Sequence, residues 1–337
     1  MFFFRIDLGS KYGLGHYARV KSLIRYLKIK KFKIIVDTFP PNHLTPKEQK
    51  SIIKLNNKKI IKNELTDAKL FINILKKYGS NFFVVKDSYK LGFKWEKYVS
   101  KYSKKLAIID DFPNKKHYSD IYINHSPEFL ESSNNKIISL KKKNKKKCKF
   151  LLGPSYSLFN TVCNEKKILS DLVFYNGGSG DILIYEKVIK EISKLKKKLK
   201  IILIVGPYAK NYNVIYQKLK NYKNIKIIYN NNNILKLLKG TKLFISSAGV
   251  SMFESSFLKI PTLLFKMNYN QKLNDLDYEK IGHYFILKKK DLLNTKKIIK
   301  LIILMKNNSK IIKKIMNSIQ INPKNISSNY LKAFNKL

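Results

Sequence analysis

Arginine is nearly missing from this 337-residue chain: of 69 basic residues only Arg5, Arg19 and Arg25 carry a guanidinium, and the rest are lysine. Nucleic-acid readers lean on arginine for bidentate contacts to bases. The lysines are also spread along the whole chain, so the formal charge of +47 reads as solvated surface, and no specific nucleic-acid partner is expected. Cysteine is scarce too. Cys148 and Cys163 are the only two and lack metal-ligand spacing, which excludes a disulfide scaffold and signals no metal site. No apolar run approaches the roughly 18 residues of a membrane span; Ile201–Val205 is typical. The opening Met-Phe-Phe-Phe meets Arg5 and Asp7 at once, unlike a secretory signal. A cytoplasmic monomer is the expectation.

Hydrophobic residues make up 44% of the chain and charged residues 27%, enough to build packed cores. The length favours two domains. Short apolar runs alternate with helical stretches, the pattern of βα units and parallel sheets. Strands are expected at Phe2–Leu8, Phe32–Asp37, Phe82–Asp87 and Leu106–Asp110, and again at Leu172–Asn176, Ile201–Val205, Ile225–Tyr229, Leu243–Ser246 and Thr262–Phe265. Helices are expected at His16–Leu27, Asp67–Lys77, Asp181–Leu199, Ile234–Leu238 and Ser251–Leu258. Lys141–Lys147, six lysines around one asparagine, reads as an exposed loop because like charges repel in a folded element. The expected architecture is α/β, with two doubly wound domains, 1–152 and 165–320, facing a cleft and a terminal helix at 321–337.

Glycine is sparse, 13 residues, yet six of them fall in two clusters: Gly9, Gly13, Gly15 and Gly177, Gly178, Gly180. Each cluster lies where a strand ends and a helix begins. Backbone N–H groups and the positive helix end point at an anion there, and glycine permits close approach. All three arginines surround the first cluster, where a guanidinium fork is not replaced by an ammonium. Arg5 and Asp7 are charged residues near the end of an otherwise buried strand, which must pair or face a site. His16 opens the following helix, where the dipole disfavours its cationic form, a sensible place for a general base. Gly13-Leu-Gly15-His-Tyr-Ala18 also fits a dinucleotide fingerprint, with Asp37 closing the next strand. A nicotinamide-dependent oxidoreductase is therefore a further reading. The intervening Gly9-Ser-Lys-Tyr12 and the charged strand end argue against it.

Taken together, Phe4-Arg5-x-Asp7 and Gly13-x-Gly15-His16-x-x-Arg19 resemble the opening of the UDP-2,4-diacetamido-2,4,6-trideoxy-β-L-altropyranose hydrolases of pseudaminic acid biosynthesis. Those enzymes and their spore-coat polysaccharide relatives share the GT-B fold with MurG-like glycosyltransferases. The resemblance continues through Val84-Val85-x-Asp87-Ser88-Tyr89, Ile109-Asp110-Asp111 with His117-x-x-Asp120, and Leu152-Gly153-Pro154-x-Tyr156-x-Leu158. It extends to Gly177-Gly178-Ser179 and to Ser246-Ser247-Ala248-Gly249-x-Ser251-x-x-Glu254, followed by Pro261 and Asn270-Gln271. Ser88 stands where the family often has histidine, Gly180 displaces the acidic residue of its turn by one, and Asn160 stands where arginine is common.

The resemblance implies hydrolysis of the anomeric C–O bond of a UDP-linked diacetamido sugar, inverting and without a metal or other cofactor. His16 would deprotonate water, Tyr89 would orient His16 or the water, and Asp87 would support it. Glu254 would accept from the ribose, and Ser251 with the Ala248-Gly249 backbone would face the phosphates. Arg5, Asp7, Gly13, Gly15, Arg19, Gly178, Ser179, Asn270 and Gln271 would complete the binding surface. The alternative is a GT-B glycosyltransferase, in which an acceptor hydroxyl replaces water.

Overall fold

A strand buried on both faces reads as a near-continuous apolar run, and the runs above assemble into two all-parallel sheets. The computed structural model describes residues 1–9, 11–38, 44–56, 63–130, 134–162, 168–195, 198–229, 233–267, 274–316 and 321–335. Asn270 and Gln271 lie outside the described residues. Contacts divide the chain into two units, one of Met1–Tyr12, His16–Leu158 and Pro323–Leu337, the other of Gly13–Gly15 and Phe159–Asn322.

The first unit carries seven strands: β1 (Phe2–Ile6), β2 (Phe32–Val36), β3 (Ile52–Lys54), β4 (Phe83–Asp87), β5 (Lys105–Ile109), β6 (Ile121–Asn124) and β7 (Lys149–Leu152). They lie in the order β3-β2-β1-β4-β5-β6-β7. Phe3, Ile35, Phe71, Leu75, Val84, Trp95 and Leu106 form one buried core. The helix Pro323–Asn335 packs on this unit, with Tyr330 donating to the Tyr156 carbonyl at 2.6 Å and Ser327 to that of Tyr26 at 2.9 Å.

The second unit has six: β8 (Ser170–Tyr175), β9 (Ile201–Val205), β10 (Ile225–Tyr229), β11 (Thr241–Ser247), β12 (Thr262–Lys266) and β13 (Phe285–Lys288). Their order is β10-β9-β8-β11-β12-β13. Leu172, Phe174, Leu203 and Val205 face one core, whereas Val173, Ile202 and Ile204 face another on the opposite side. Helices therefore cover both sides, as a parallel sheet requires.

In each sheet the strand order reverses direction beside its first strand, at β1/β4 and at β8/β11. Open α/β sheets bind their ligands just beyond the strand ends at such a switch point. Both glycine clusters follow the first strand of a sheet, Gly9–Gly15 after β1 and Gly177–Gly180 after β8.

The lysine run is not simply a loop. Lys141–Lys143 form the last turn of the helix Asn134–Lys143, where cations complement the helix dipole. The buried Asn144 then ties the turn to Ser119, accepting from its N–H at 3.1 Å and donating to its carbonyl at 3.0 Å. The helix expected at Asp181–Leu199 is shorter, a single 3-10 turn at Leu183–Tyr185 followed by Glu186–Leu195.

Candidate active site

The first-unit switch point is held by Asp7. Just past β1, its carboxylate accepts from the Ser88 hydroxyl at 2.9 Å and from the Tyr89 N–H at 2.8 Å. That grip fixes the turn after β4 and with it the direction of Asp87, the last residue of that strand. The helix Gly15–Tyr26 begins beyond the glycine loop, and its first turns carry His16 and Arg19 on one face.

These side chains converge. Nδ1 of His16 lies 2.6 Å from Oδ1 of Asp87. Arg19 clasps the same carboxylate from the other side, Nη2 donating to Oδ1 at 2.6 Å and Nε to Oδ2 at 2.9 Å. Its remaining arm, Nη1, donates to Asp111 at 2.7 and 2.9 Å. The Tyr89 hydroxyl also donates to Asp111, and Nε2 of His125 lies 3.8 Å from it. Burial pushes the Asp87 carboxyl up, but Arg19 and His16 outweigh it and hold the group below its ordinary value. Asp111 is also held well below its ordinary value: burial opposes the charge, and Arg19 and His125 overcome it. His125 is driven down to about 4, chiefly by burial.

Asp87 is thus an anion that can only accept, which assigns the proton of His16 to Nδ1. Arg19 Nη2 lies 3.0 Å from that nitrogen because both donors share one carboxylate oxygen. In a neutral ring Nε2 would then carry the lone pair, and among the described residues it makes no hydrogen bond. The ring is 2% exposed, with the Tyr89 ring edge-on at 4.5 Å and Tyr12 at 6.3 Å. A neutral imidazole backed by a carboxylate is a proton acceptor whose conjugate acid the carboxylate stabilises.

Several expected roles change. Arg5 does not present its guanidinium to a ligand. It is fully buried, donating to Asp67 at 3.1 and 2.6 Å, to Asp37 and to its neighbour's carbonyl. The reason is position: Arg5 sits within β1, whereas Arg19 sits on a helix face. Asp7 likewise holds the turn instead of facing a ligand. Tyr89 contributes its ring edge to His16, but its hydroxyl goes to Asp111. Asp37, the residue a dinucleotide ribose would need, is occupied by Arg5 and Lys90. Asp111 and His125 belong to the site although no sequence motif assigns either of them a role. The adjacent pair Asp110-Asp111 after β5 was the available signal for the first; the second follows β6, a strand not expected from the sequence.

At the second-unit switch point Gly177 adopts φ +72°. Gly206, after β9, lies so close that a Cβ there would overlap the carbonyl oxygens of Gly177 and Gly178. Tyr208 donates its N–H to the Gly178 carbonyl at 2.9 Å, fixing the Gly178-Ser179 turn from beneath. Past β11, the Ala248 N–H donates to Phe265 and that of Gly249 to Ser247, at 3.1 and 2.9 Å. These two amides are therefore committed to backbone, contrary to the expectation that they face phosphate. The Ser251 hydroxyl lies 3.2 Å from that of Ser246. Glu254, in the helix Ser251–Phe257, is buried, and its acid is pushed up to about 8 by desolvation, with the Asn160 N–H pulling the other way. Among the described residues no three His, Cys, Asp or Glu side chains are grouped as a metal would need, and no helix is long and apolar enough to cross a membrane.

Residues 172–329 match the model of the glycosyltransferase family 28 C-terminal domain. The uncharacterized protein MJ1062 of Methanocaldococcus jannaschii is 26% identical over 298 residues, 81% of this chain. The chain spans 57% of that curated relative's length. Among solved structures, MurG of Acinetobacter baumannii aligns over 100% of this chain and 99% of its own, with a TM-score of 0.60 at 11% identity. TcCGT1, solved in complex with UDP, aligns over 99% and 98%, with a TM-score of 0.66 at 12% identity. The fold class is GT-B. Two parallel-sheet α/β units are the fold that the chain shares with those structures.

Proposed function

We propose that this protein is a UDP-sugar hydrolase of the kind the opening motifs resemble, cleaving the anomeric C–O bond of a UDP-linked diacetamido-trideoxy sugar to give UDP and the free sugar in nonulosonic acid biosynthesis. The observation that carries the reading is the His16–Asp87 pair, with Nδ1 2.6 Å from the carboxylate and Nε2 making no hydrogen bond among the described residues. His16 takes a proton from water as the water oxygen bonds to the anomeric carbon, and the C–O bond to UDP breaks with inversion. Asp87 stabilises the imidazolium, and the nearby guanidinium of Arg19 keeps Asp87 anionic. Help of this type is typically worth about 10²–10⁴-fold. UDP departs as a diphosphate anion, for which the glycine turn after β8 provides close backbone approach. Glu254 meets the ribose hydroxyls.

The family 28 match supports a second reading, a glycosyltransferase in which the same base acts on an acceptor hydroxyl. A UDP-release assay on a panel of UDP-diacetamido sugars, with products identified by mass spectrometry, separates the two. Stoichiometric release of UDP and free sugar without acceptor is the expected result. Release that appears only with an acceptor would establish the transferase, and His16→Asn with unchanged turnover would remove the base.

A further inference from the structure

None of the roles above uses His117, yet it is the centre of a second buried charge cluster, joined to the first through the adjacent residues Asp110 and Asp111. Its Nδ1 lies 2.9 Å from Oε1 of Glu96 and its Nε2 lies 3.2 Å from Oδ2 of Asp110. Nδ1 is hydrogen-bonded to Glu96, whereas Nε2 and Oδ2 of Asp110 face each other at ion-pair distance and neither makes a hydrogen bond among the described residues; a proton on Nε2 gives that buried carboxylate oxygen an opposite charge. Charges from β4 and the loop after β5, and a ring from β6, stand close by. Lys86 of β4 donates to the same Glu96 oxygen at 2.5 Å. Lys115, in the loop after β5, is 3.8 Å from Asp110, and the Tyr122 ring of β6 is centred 5.4 Å away. With His117 charged, Lys86 and His117 balance Glu96 and Asp110 among fully buried groups; with His117 neutral, one carboxylate is left buried without a buried cation.

Asp110 also accepts the Phe112 N–H at 2.8 Å, which shapes the turn that presents Asp111. We propose that His117 is a positioning residue: its imidazolium, clamped between Glu96 and Asp110, locks the Asp110–Phe112 turn so that Asp111 holds Arg19, and Arg19 holds the His16–Asp87 pair. Burial lowers the tendency of His117 to carry charge, but Asp110 and Glu96 overcome it and raise its pKa above the ordinary imidazole value. The backbone of His117 is pinned independently, its N–H donating to Lys143 and its carbonyl accepting from Lys145, so replacing the ring leaves the chain path anchored. The inference rests on the reading of His16 as the base.

The test uses protein labelled with ¹⁵N at histidine. In the ligand-free wild type at pH 7, the His117 ring is expected to show two protonated nitrogens; a neutral ring would overturn the proposal. In His117→Gln, the ring shifts of His16 are expected to change without ligand, in a variant that still melts cooperatively with Tm lowered by about 6–12 °C, as loss of one partner of a buried charge cluster requires. An unchanged His16 spectrum would overturn it too. For UDP release from UDP-2,4-diacetamido-2,4,6-trideoxy-β-L-altropyranose, kcat is expected to fall about tenfold with KM within about twofold. The alkaline decline of the wild-type pH profile should be flattened in the variant; unchanged kcat and profile refute the idea. Wild type that releases no UDP, but whose spectra behave as expected, would remove the hydrolase reading and leave the clamp standing.

Discussion

Asp87→Asn is the sharpest perturbation of the site, because it keeps volume and one acceptor while removing a charge. In the native protein the carboxylate receives three N–H groups, one from His16 and two from Arg19, at 2.6 to 2.9 Å. Asparagine presents one oxygen and one NH₂, so one of these donors must lose its acceptor. Removing one partner of a buried ion pair costs roughly 3–5 kcal/mol. Asp111 still engages Arg19, which places the expected cost near the lower end, about 3 kcal/mol. For a unit of this size each kcal/mol moves Tm by about 2–4 °C, so a fall of about 6–12 °C is expected. The amide also offers a donor to Nδ1, which drives the His16 proton to Nε2 and removes the lone pair the reaction needs. Turnover should therefore fall about 10²–10⁴-fold, far beyond what instability alone produces at 25 °C. The measurements are a thermal melt and UDP release on the same preparation. Loss of stability with turnover within about threefold of wild type would show that the pair is structural only; an unchanged melt would show that the carboxylate is not gripped as described. Because Asp87 is held below its ordinary value, its stabilisation is fully present above the normal carboxylate range and is lost as pH falls from there through the group's lowered value. The gap between wild type and Asp87→Asn should shrink on acidification.

Glu254 runs the opposite way. Its acid is raised to about 8, so the folded protein binds a proton that the unfolded chain releases near 4.5, and stability falls as pH rises between those values. Glu254→Gln should match wild type near pH 4.5 and be more stable at pH 8.5, by at most about 5 kcal/mol; equal melts at both pH values would show that the carboxyl is not desolvated. The same variant should weaken UDP binding, measured by calorimetry, more than it lowers saturated turnover. Gly206→Ala places a methyl on the Gly177 and Gly178 carbonyls; overpacking of this kind costs about 1–3 kcal/mol, and UDP affinity should fall with it. A variant that melts and binds as wild type would mean the Gly177–Gly180 turn is not held from that side.

The seeds of this arrangement were present in the sequence to different degrees. The strongest parallel strands were legible because each is buried on both faces and must be apolar throughout, as at Ile201–Val205. Four strands escaped detection for physical reasons. Ile52–Lys54 is three residues long, while β6, β7 and β13 are four residues each, with a polar residue at one end. Missing β6 hid His125 at its end.

What the chain alone determined was the alternation of sheet and helix, the two glycine turns, and His16 at a helix start, because these are local consequences of backbone freedom and hydrophobic period. Which guanidinium serves which carboxylate was not local. Arg5 and Arg19 look alike in the sequence, but one lies inside a strand and the other on a helix face. His16 meets Asp87 across 71 residues, and Arg19 meets Asp111 across 92. Only the order β1-β4-β5 brings those strand ends side by side, and only burial there makes the pairing obligatory, since a charge removed from water must find its opposite.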